Sequence, residues 1–211
     1  MGNLISKQGV LAWIEGLQRA YAANRQRLTD LDSAIGDADH GSNLDRGFSA
    51  VQTELATHVP EDIRGVLQTT ATVLIKTVGG ASGPLYGTFF LRAAASCAGK
   101  PELDETALVA MFRAGIEGVQ QRGKAVIEDK TMLDTLLPGL SAMQASLDQG
   151  GSIADVLSAA AEAAEKGMLS TIPLEARKGR ASYLGARSIG HQDPGATSAF
   201  LLIEAARNAL P

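Results

Sequence analysis

The sequence predicts an all-α protein whose helices are joined by a few glycine-rich loops, and three observations support that class. The 211-residue chain contains 34 alanines, the residue that favours helix most strongly. Apolar residues recur with the 3.6-residue period of an amphipathic helix in one segment after another. The 23 glycines make up about 11% of the chain, against a usual figure of about 7%. Eleven of them fall in three windows, 36–47, 79–87 and 179–195, so backbone freedom is concentrated in a few loops.

Taken in chain order, Val10, Ile14, Leu17, Tyr21 and Leu28 share one stripe and predict a long first helix. Helices follow at 44–55, 62–76, 84–98, 104–121 and 131–147. Ile153, Val156, Leu157, Ala160, Ala161, Ala164 and Met168 keep the i, i+3, i+4, i+7 spacing of a seventh, and 195–208 forms the last. That count is eight helices with no convincing strand. Ser42 with Asp45, Thr131 with Asp134 and Ser152 with Asp155 each resemble a capping box. Asp193 before Pro194 reads as an N-cap with proline at the first helical position. Gly150-Gly151 marks a turn, and no linker, repeat or low-complexity stretch divides the chain, which predicts one domain over residues 1–211. Only Met168 to Asp193 shows little periodicity.

Charge and composition exclude several functions. Nineteen Lys and Arg against 23 Asp and Glu leave a net charge of −4, and aromatic residues are 4% of the chain. A nucleic-acid binder is expected to show a basic surplus and aromatic platforms, so no nucleic-acid partner is predicted. No apolar run reaches the roughly 18–20 residues of a membrane span, and Met1-Gly2-Asn3-Leu4-Ile5-Ser6-Lys7 lacks the apolar stretch of a signal peptide. The expectation is a cytoplasmic protein with no membrane partner. Cys97, set among Ala93, Ala94, Ala95 and Ala98, has no second thiol for a disulfide or a zinc site and reads as a small buried residue.

Chemistry is concentrated in three loops. The first, Asp32-Ser33-Ala34-Ile35-Gly36-Asp37-Ala38-Asp39-His40-Gly41-Ser42-Asn43, brings three carboxylates close together, and these repel one another unless a cation lies among them. Oxygen-only ligands suit a hard ion such as Mg²⁺ or Ca²⁺. With Asp37 as the first position of an EF-hand, Ser42 and Phe48 stand where glycine and glutamate are required, so it is not that motif. The plainer alternative is a solvated acidic turn, and His40 is equally suited to orienting the loop.

The second loop, Val78-Gly79-Gly80-Ala81-Ser82-Gly83-Pro84-Leu85-Tyr86-Gly87-Thr88, opens a helix, where bare amides and the helix dipole favour a phosphate. It is neither a Walker A nor a dinucleotide-binding turn, and close helix packing is the competing explanation of its glycines. The third, from Arg177 to Gly195, places Arg177, Lys178, Arg180 and Arg187 within eleven residues of an acidic protein. It suits a polyphosphate, or else is a solvated basic loop in which Asp193 only caps a helix. Together the loops suit a magnesium nucleotide. The chain shows no evident general base or covalent nucleophile, so no catalytic residue is predicted with certainty, and half a kinase without its acceptor site would look like this.

Four motifs carry a family resemblance: Asp32 to Gly47; Gly79 to Thr88; Asp129-Lys130-Thr131-Met132-Leu133-Asp134; and Gly179 to Gly185 continuing through His191-Gln192-Asp193-Pro194-Gly195-Ala196-Thr197-Ser198. In this order they closely resemble the nucleotide-binding L subunits (DhaL) of bacterial phosphoenolpyruvate-dependent dihydroxyacetone kinases, essentially from end to end. The resemblance implies a barrel of eight antiparallel helices holding ADP, transiently ATP, and two Mg²⁺ at one end. It implies Asp32, Asp37 and Asp39 as metal ligands. His40, Gly41, Ser42, Asn43, Ala81 and Ser82 would line the phosphates, with Gly123, Met132, Arg180, Asp193, Pro194 and Gly195 completing the nucleotide pocket. Glu128 departs from the pattern, which has glycine before Asp-Lys-Thr-Met.

The implied activity is a phosphotransferase with an alcohol acceptor. Bound ADP takes a phosphoryl group from a phosphohistidine on the DhaM subunit and passes it to dihydroxyacetone on the DhaK subunit. No dihydroxyacetone-binding domain precedes the motifs, which points to the free-standing subunit. The alternatives are a subunit of an ATP-dependent kinase for dihydroxyacetone or another short keto-sugar, and a module reporting nucleotide state to a transcription regulator.

Overall fold

Nine α-helices and one 3-10 segment make up the described fold: α1 Lys7–Ala23, α2 Arg25–Ile35, α3 His40–Thr57, α4 Ile63–Thr77, α5 Ser82–Ser96, α6 Glu105–Gly123, α7 Leu133–Asp148, α8 Ile153–Ser170, the 3-10 segment Arg180–Ser188, and α9 Pro194–Ala209. The computed structural model describes residues 4–211, so Met1–Asn3, the start of the segment read above for a leader, lie outside it. Among the described residues the sole β-pairing is an isolated bridge between Ile5 and Leu103. The all-helical expectation holds.

The helix count differs from eight because the first predicted helix is two. Asn24 separates them with φ −100° and ψ 9°, and its side-chain Nδ2 donates to the Ala20 carbonyl at 2.9 Å. An asparagine amide that competes for backbone acceptors in this way ends a helix locally, while the apolar stripe continues to Leu28 across the break. The eight-membered barrel survives nonetheless. Packing runs α3–α4–α5–α6–α7–α8–α9, and α1 lies against both α9 and α3 to close the ring, leaving α2 as an outlier packed on α3 and α9. From α3 to α8 short connections between consecutive helices make neighbours antiparallel.

Inside the ring lies one continuous apolar core. Trp13 is fully buried against Phe90 and Phe112, and its Nε1 donates to the Leu202 carbonyl at 3.2 Å. Phe48 packs on Tyr21 and Phe90. Cys97 is buried, as its alanine-rich surroundings imply. Pro138 interrupts the hydrogen-bond ladder of α7, and α8 comes close at the same place: a Cβ on Gly167 would lie 2.1 Å from the Asp134 carbonyl oxygen.

The predicted caps divide. Ser152 and Asp155 form the full reciprocal box, and the Asp193 carboxylate accepts from Ala196 N–H at 2.6 Å with Pro194 at N1. Ser42 is a correction: it lies inside the first turn of α3, where its hydroxyl donates to the Asp39 carbonyl at 2.9 Å. Its expected partner Asp45 pairs with Arg25 at 3.7 Å instead. Thr131 forms half a box, since the Asp134 carboxylate accepts from Thr131 N–H at 2.7 Å but the Thr131 hydroxyl accepts from Leu133 rather than Asp134.

Candidate functional site

At one end of the barrel the helices enclose a cavity of about 900 Å³, within the range of small-molecule sites. Its wall includes the starts of α3, α5, α7 and α9 (His40, Ser82, Leu133 and Pro194) and the ends of α2 and α6. Four helix N-termini facing one space bring positive dipole potential there, which favours an anion, although Asp32 and Asp193 already accept from first-turn amides of α3 and α9. Leu85, Val119, Ala125, Met132 and Leu133 add an apolar stretch of wall.

The acidic loop supplies the opposite charge. One oxygen from each of Asp32, Asp37 and Asp39 lies within 4.8 Å of the others, with Asp32 buried and the other two exposed. Asp32 is held in place because its Oδ2 accepts from the backbone N–H groups of Asp39 at 2.9 Å and His40 at 3.1 Å. Gly36 is required next to it, since a Cβ there would lie 2.0 Å from Asp32 Oδ1. Ala38 adopts φ +61°, a left-handed turn between Asp37 and Asp39. Arg180 reaches across from the basic loop to Asp37 Oδ2 at 3.0 Å. Three convergent carboxylates with no nitrogen or sulfur ligand fit a hard divalent cation.

His40, buried beside this cluster, links it to the glycine loop. Its Nδ1 lies 3.1 Å from Ser82 Oγ and its Nε2 2.9 Å from Ser198 Oγ. Burial lowers the His40 pKa, and the charges of Asp32 and Asp39 only partly oppose it. The Tyr86 hydroxyl donates to Ser198 Oγ at 2.7 Å, and burial raises the Tyr86 pKa to about 12. The glycines of this loop divide between the cavity and the helix contact. Gly79 and Gly80 line the cavity, Gly80 with φ +64°. Gly83 and Gly87 permit close packing of α5 on α4, where a Cβ would lie 2.2 Å from the Val78 carbonyl oxygen and 2.3 Å from the Ile75 side chain.

The Asp129-Lys130 turn anchors the basic loop. Lys130 is buried, and its Nζ donates to the carbonyls of Ser188 at 2.7 Å and Leu174 at 2.9 Å, with Ile172 at 3.5 Å. Burial lowers its pKa, with Asp193 opposing. The Arg177 amide donates to the Asp129 carbonyl at 3.0 Å. Glu128, where the resemblance implies glycine, adopts φ +71°, and its N–H donates to the Asp134 carboxylate. Asp193 is buried at the cavity wall, and burial raises its pKa to about 7 despite the Ala196 N–H.

Of the residues expected from the sequence, Asp32, Asp37, Asp39, His40, Ala81, Ser82, Gly123, Met132, Arg180, Asp193, Pro194 and Gly195 lie on the wall of this one cavity. Gly41, Ser42 and Asn43 do not line it. Gly41 is needed where α3 crosses α2, since a Cβ there would lie 2.0 Å from the Arg25 carbonyl oxygen. Asn43 is buried and accepts from Arg46 Nη2 at 2.6 Å. Arg177 and Lys178 line the cavity, whereas Arg187 does not. Tyr86, Ser198 and Lys130 were not singled out from sequence. All three stand inside the motifs that carried the resemblance, and that was their only signal.

Comparison with known proteins places the chain. The DAK2 domain profile matches residues 34–208. The PEP-dependent dihydroxyacetone kinase ADP-binding subunit DhaL of Escherichia coli K12 is 46% identical over 200 residues, covering 95% of each chain. A second such subunit, from Listeria innocua, is 46% identical over 181 residues, 85% of this chain and 83% of its own length. The crystal structure of the C. freundii dihydroxyacetone kinase in complex with AMP-PNP and Mg²⁺ superposes on 99% of this chain and 35% of its own, with a TM-score of 0.74 at 22% identity. That last likeness is one of fold.

Proposed function

The chain belongs to the DAK2 domain family, and on that premise we propose that it is the ADP-binding subunit of a PEP-dependent dihydroxyacetone kinase. In that reading ADP held on this chain relays a phosphoryl group from a DhaM-type donor to dihydroxyacetone on a DhaK-type partner. The observation that carries it is one cavity in which four helix N-termini and Arg180 face three clustered carboxylates, the two charge patterns that a magnesium diphosphate needs side by side.

Asp32, Asp37 and Asp39 would hold two Mg²⁺, which when bound neutralise and orient phosphate oxygens. His40, Ala81 and Ser82 face the phosphates. Gly123, Met132, Arg180, Asp193, Pro194 and Gly195 close the pocket around the rest of the nucleotide. Gly41 and Ser42 serve through the backbone amides of the α3 N-terminus and Asn43 through the shape of that turn, its own amide being bonded to the Asp39 carbonyl, not as cavity wall. With the dihydroxyacetone site on another chain, this one needs no acceptor base. Among the described residues no helix is long and apolar enough to cross a membrane, and the work we assign to the chain belongs in the cytoplasm.

The test is to purify the protein in Mg²⁺ without added nucleotide, denature it, and quantify the released adenine nucleotide by chromatography. About one ADP per chain is the expected result and marks a retained cofactor. An empty protein that exchanges ATP freely would point to an ATP-dependent kinase, and one that binds neither nucleotide would overturn the reading.

A further inference from the structure

The long loop between α8 and α9, which carries Arg177, Lys178 and Arg180 to the cavity wall, is drawn in at a neck. There the Ala176 amide donates to Ser188 Oγ at 2.9 Å and the Gly190 amide to the Ile172 carbonyl at 2.8 Å. The Lys130 side chain enters this neck from the turn before α7 and meets carbonyls on both sides of it, Ile172 and Leu174 where the chain leaves α8 and Ser188 where it returns. An ammonium has three N–H donors, and these three carbonyls account for all of them. None is left for a ligand, although Lys130 stands against the cavity. Among the described residues no carboxylate pairs with it, so a buried charge rests on neutral acceptors alone, an arrangement costly in desolvation. Its backbone is strained as well. Lys130 holds φ +61° two residues after Glu128 at φ +71°, and such strain persists only where the surroundings enforce it. Beyond the neck the loop rests on α2 through a small apolar cluster of Ile35, Ala176 and Ala181, a non-directional contact that leaves the loop's orientation to the neck.

We propose that Lys130 is a positioning residue: by clasping both sides of the neck it presents Arg180 to the diphosphate of the bound nucleotide, on the Asp37 side of the cavity. The proposal rests on the nucleotide reading above. The turn that carries Lys130 also supplies Thr131 and Met132 to the cavity wall, so one segment sets the distance between the nucleotide pocket and the loop that faces it. Arg180 is exposed, with Asp37 as its one ionic partner among the described residues. On an unclasped loop its guanidinium would spread over many conformers, which a ligand must reorder on binding. With the neck closed, that ordering is already done. A neutral side chain of similar length would fill the space but give the carbonyls no donor, which opens the neck to water.

The test is a double-mutant cycle on the full chain, with ADP and Mg²⁺ titrated in a calorimeter. Lys130→Met and Arg180→Met should each weaken ADP binding about tenfold, as loss of a hydrogen bond to a charged group does. The double variant should be no weaker than Arg180→Met, because Lys130 acts through Arg180. Adenosine, which has no phosphate, should compete for the site equally well in wild type and in Lys130→Met, a readout that a general loosening of the pocket would not leave unchanged. Lys130→Gln keeps two N–H donors for the carbonyls; it should show a smaller loss with the same pattern, and it serves if Lys130→Met does not fold. Wild-type ADP affinity in the Lys130 variants, losses that add in the double variant, or an equal loss for adenosine overturns the proposal. A wild type that takes up no ADP overturns the nucleotide reading and this extension together, an outcome distinct from an ADP complex indifferent to Lys130.

Discussion

Asp37 and Asp193 show how one residue type meets opposite environments in one cavity. Asp37 is exposed, with Arg180 at 3.0 Å, and is placed to meet a cation without first being desolvated. Asp37→Ala should weaken Mg²⁺ and ADP binding together by more than about 100-fold, with the helical circular dichroism unchanged; retained activity with metal still bound would remove it from the site. Asp193 is buried, and its pKa is raised from 3.8 to about 7. A carboxyl raised on folding contributes stability below its unfolded pKa and loses it as pH rises through the folded one. In metal- and nucleotide-free protein, the thermal midpoint of wild type should therefore fall relative to that of Asp193→Asn as pH rises from 3.8 to about 7. Asparagine keeps the N-cap acceptor, and the lowered pKa of His40 acts in both proteins and cancels. A constant difference across that range would contradict the assignment.

The segment from Glu128 to Met132 acts as the base plate of the basic loop, with Lys130 as its bolt. Lys130→Ala leaves carbonyls of Leu174 and Ser188 without their donor. It should lower stability by about 2–3 kcal/mol and speed tryptic cleavage at Arg177 and Lys178, since nothing else in the loop core reaches those carbonyls from the α7 side. Cleavage at the wild-type rate would show that the strap is dispensable. Glu128 at φ +71° carries about 1–2 kcal/mol of left-handed strain, partly offset in a glycine variant by about 0.4–1 kcal/mol of unfolded-chain entropy. Glu128→Gly should thus raise stability by about 0.5–1 kcal/mol, read from denaturant midpoints at unchanged m value.

Closure of the ring by α1 against α9 and α3 brings Asp32, Ser82, Met132, Arg180 and Pro194 to one end, although they span most of the chain. Binding at such a site stabilises the whole fold by linkage. At 100 times its dissociation constant, ADP with Mg²⁺ should add about 2.7 kcal/mol, which raises the thermal midpoint of a chain of this length by about 5–10 °C. Mg²⁺ or ADP alone should give less than half of that, because each neutralises the other's charge in the cavity. An equal shift from ADP in chelator would mean that the carboxylates take no part in binding.

Local order was legible from residues close in sequence. Helical periodicity, the Ser152–Asp155 box and the Asp193-Pro194 start are set within four residues, and the three aspartates of the acidic loop lie within eight. Whatever depended on contacts distant in the chain was not legible. The break at Asn24 is a competition between a side chain and the ladder that leaves the apolar stripe intact, and periodicity does not register it. Ser42 looked like a cap because its spacing to Asp45 was right, yet Asp32 had already taken the first amides of α3 from seven and eight residues away. The burial of Lys130 on carbonyls more than 40 residues distant, and the contacts from Tyr86 through Ser198 to His40, exist only once the ring closes. The sequence sets which groups are available and the local angles they prefer, whereas burial and long-range packing set which of them meet, because desolvation and geometry are properties of the assembled barrel.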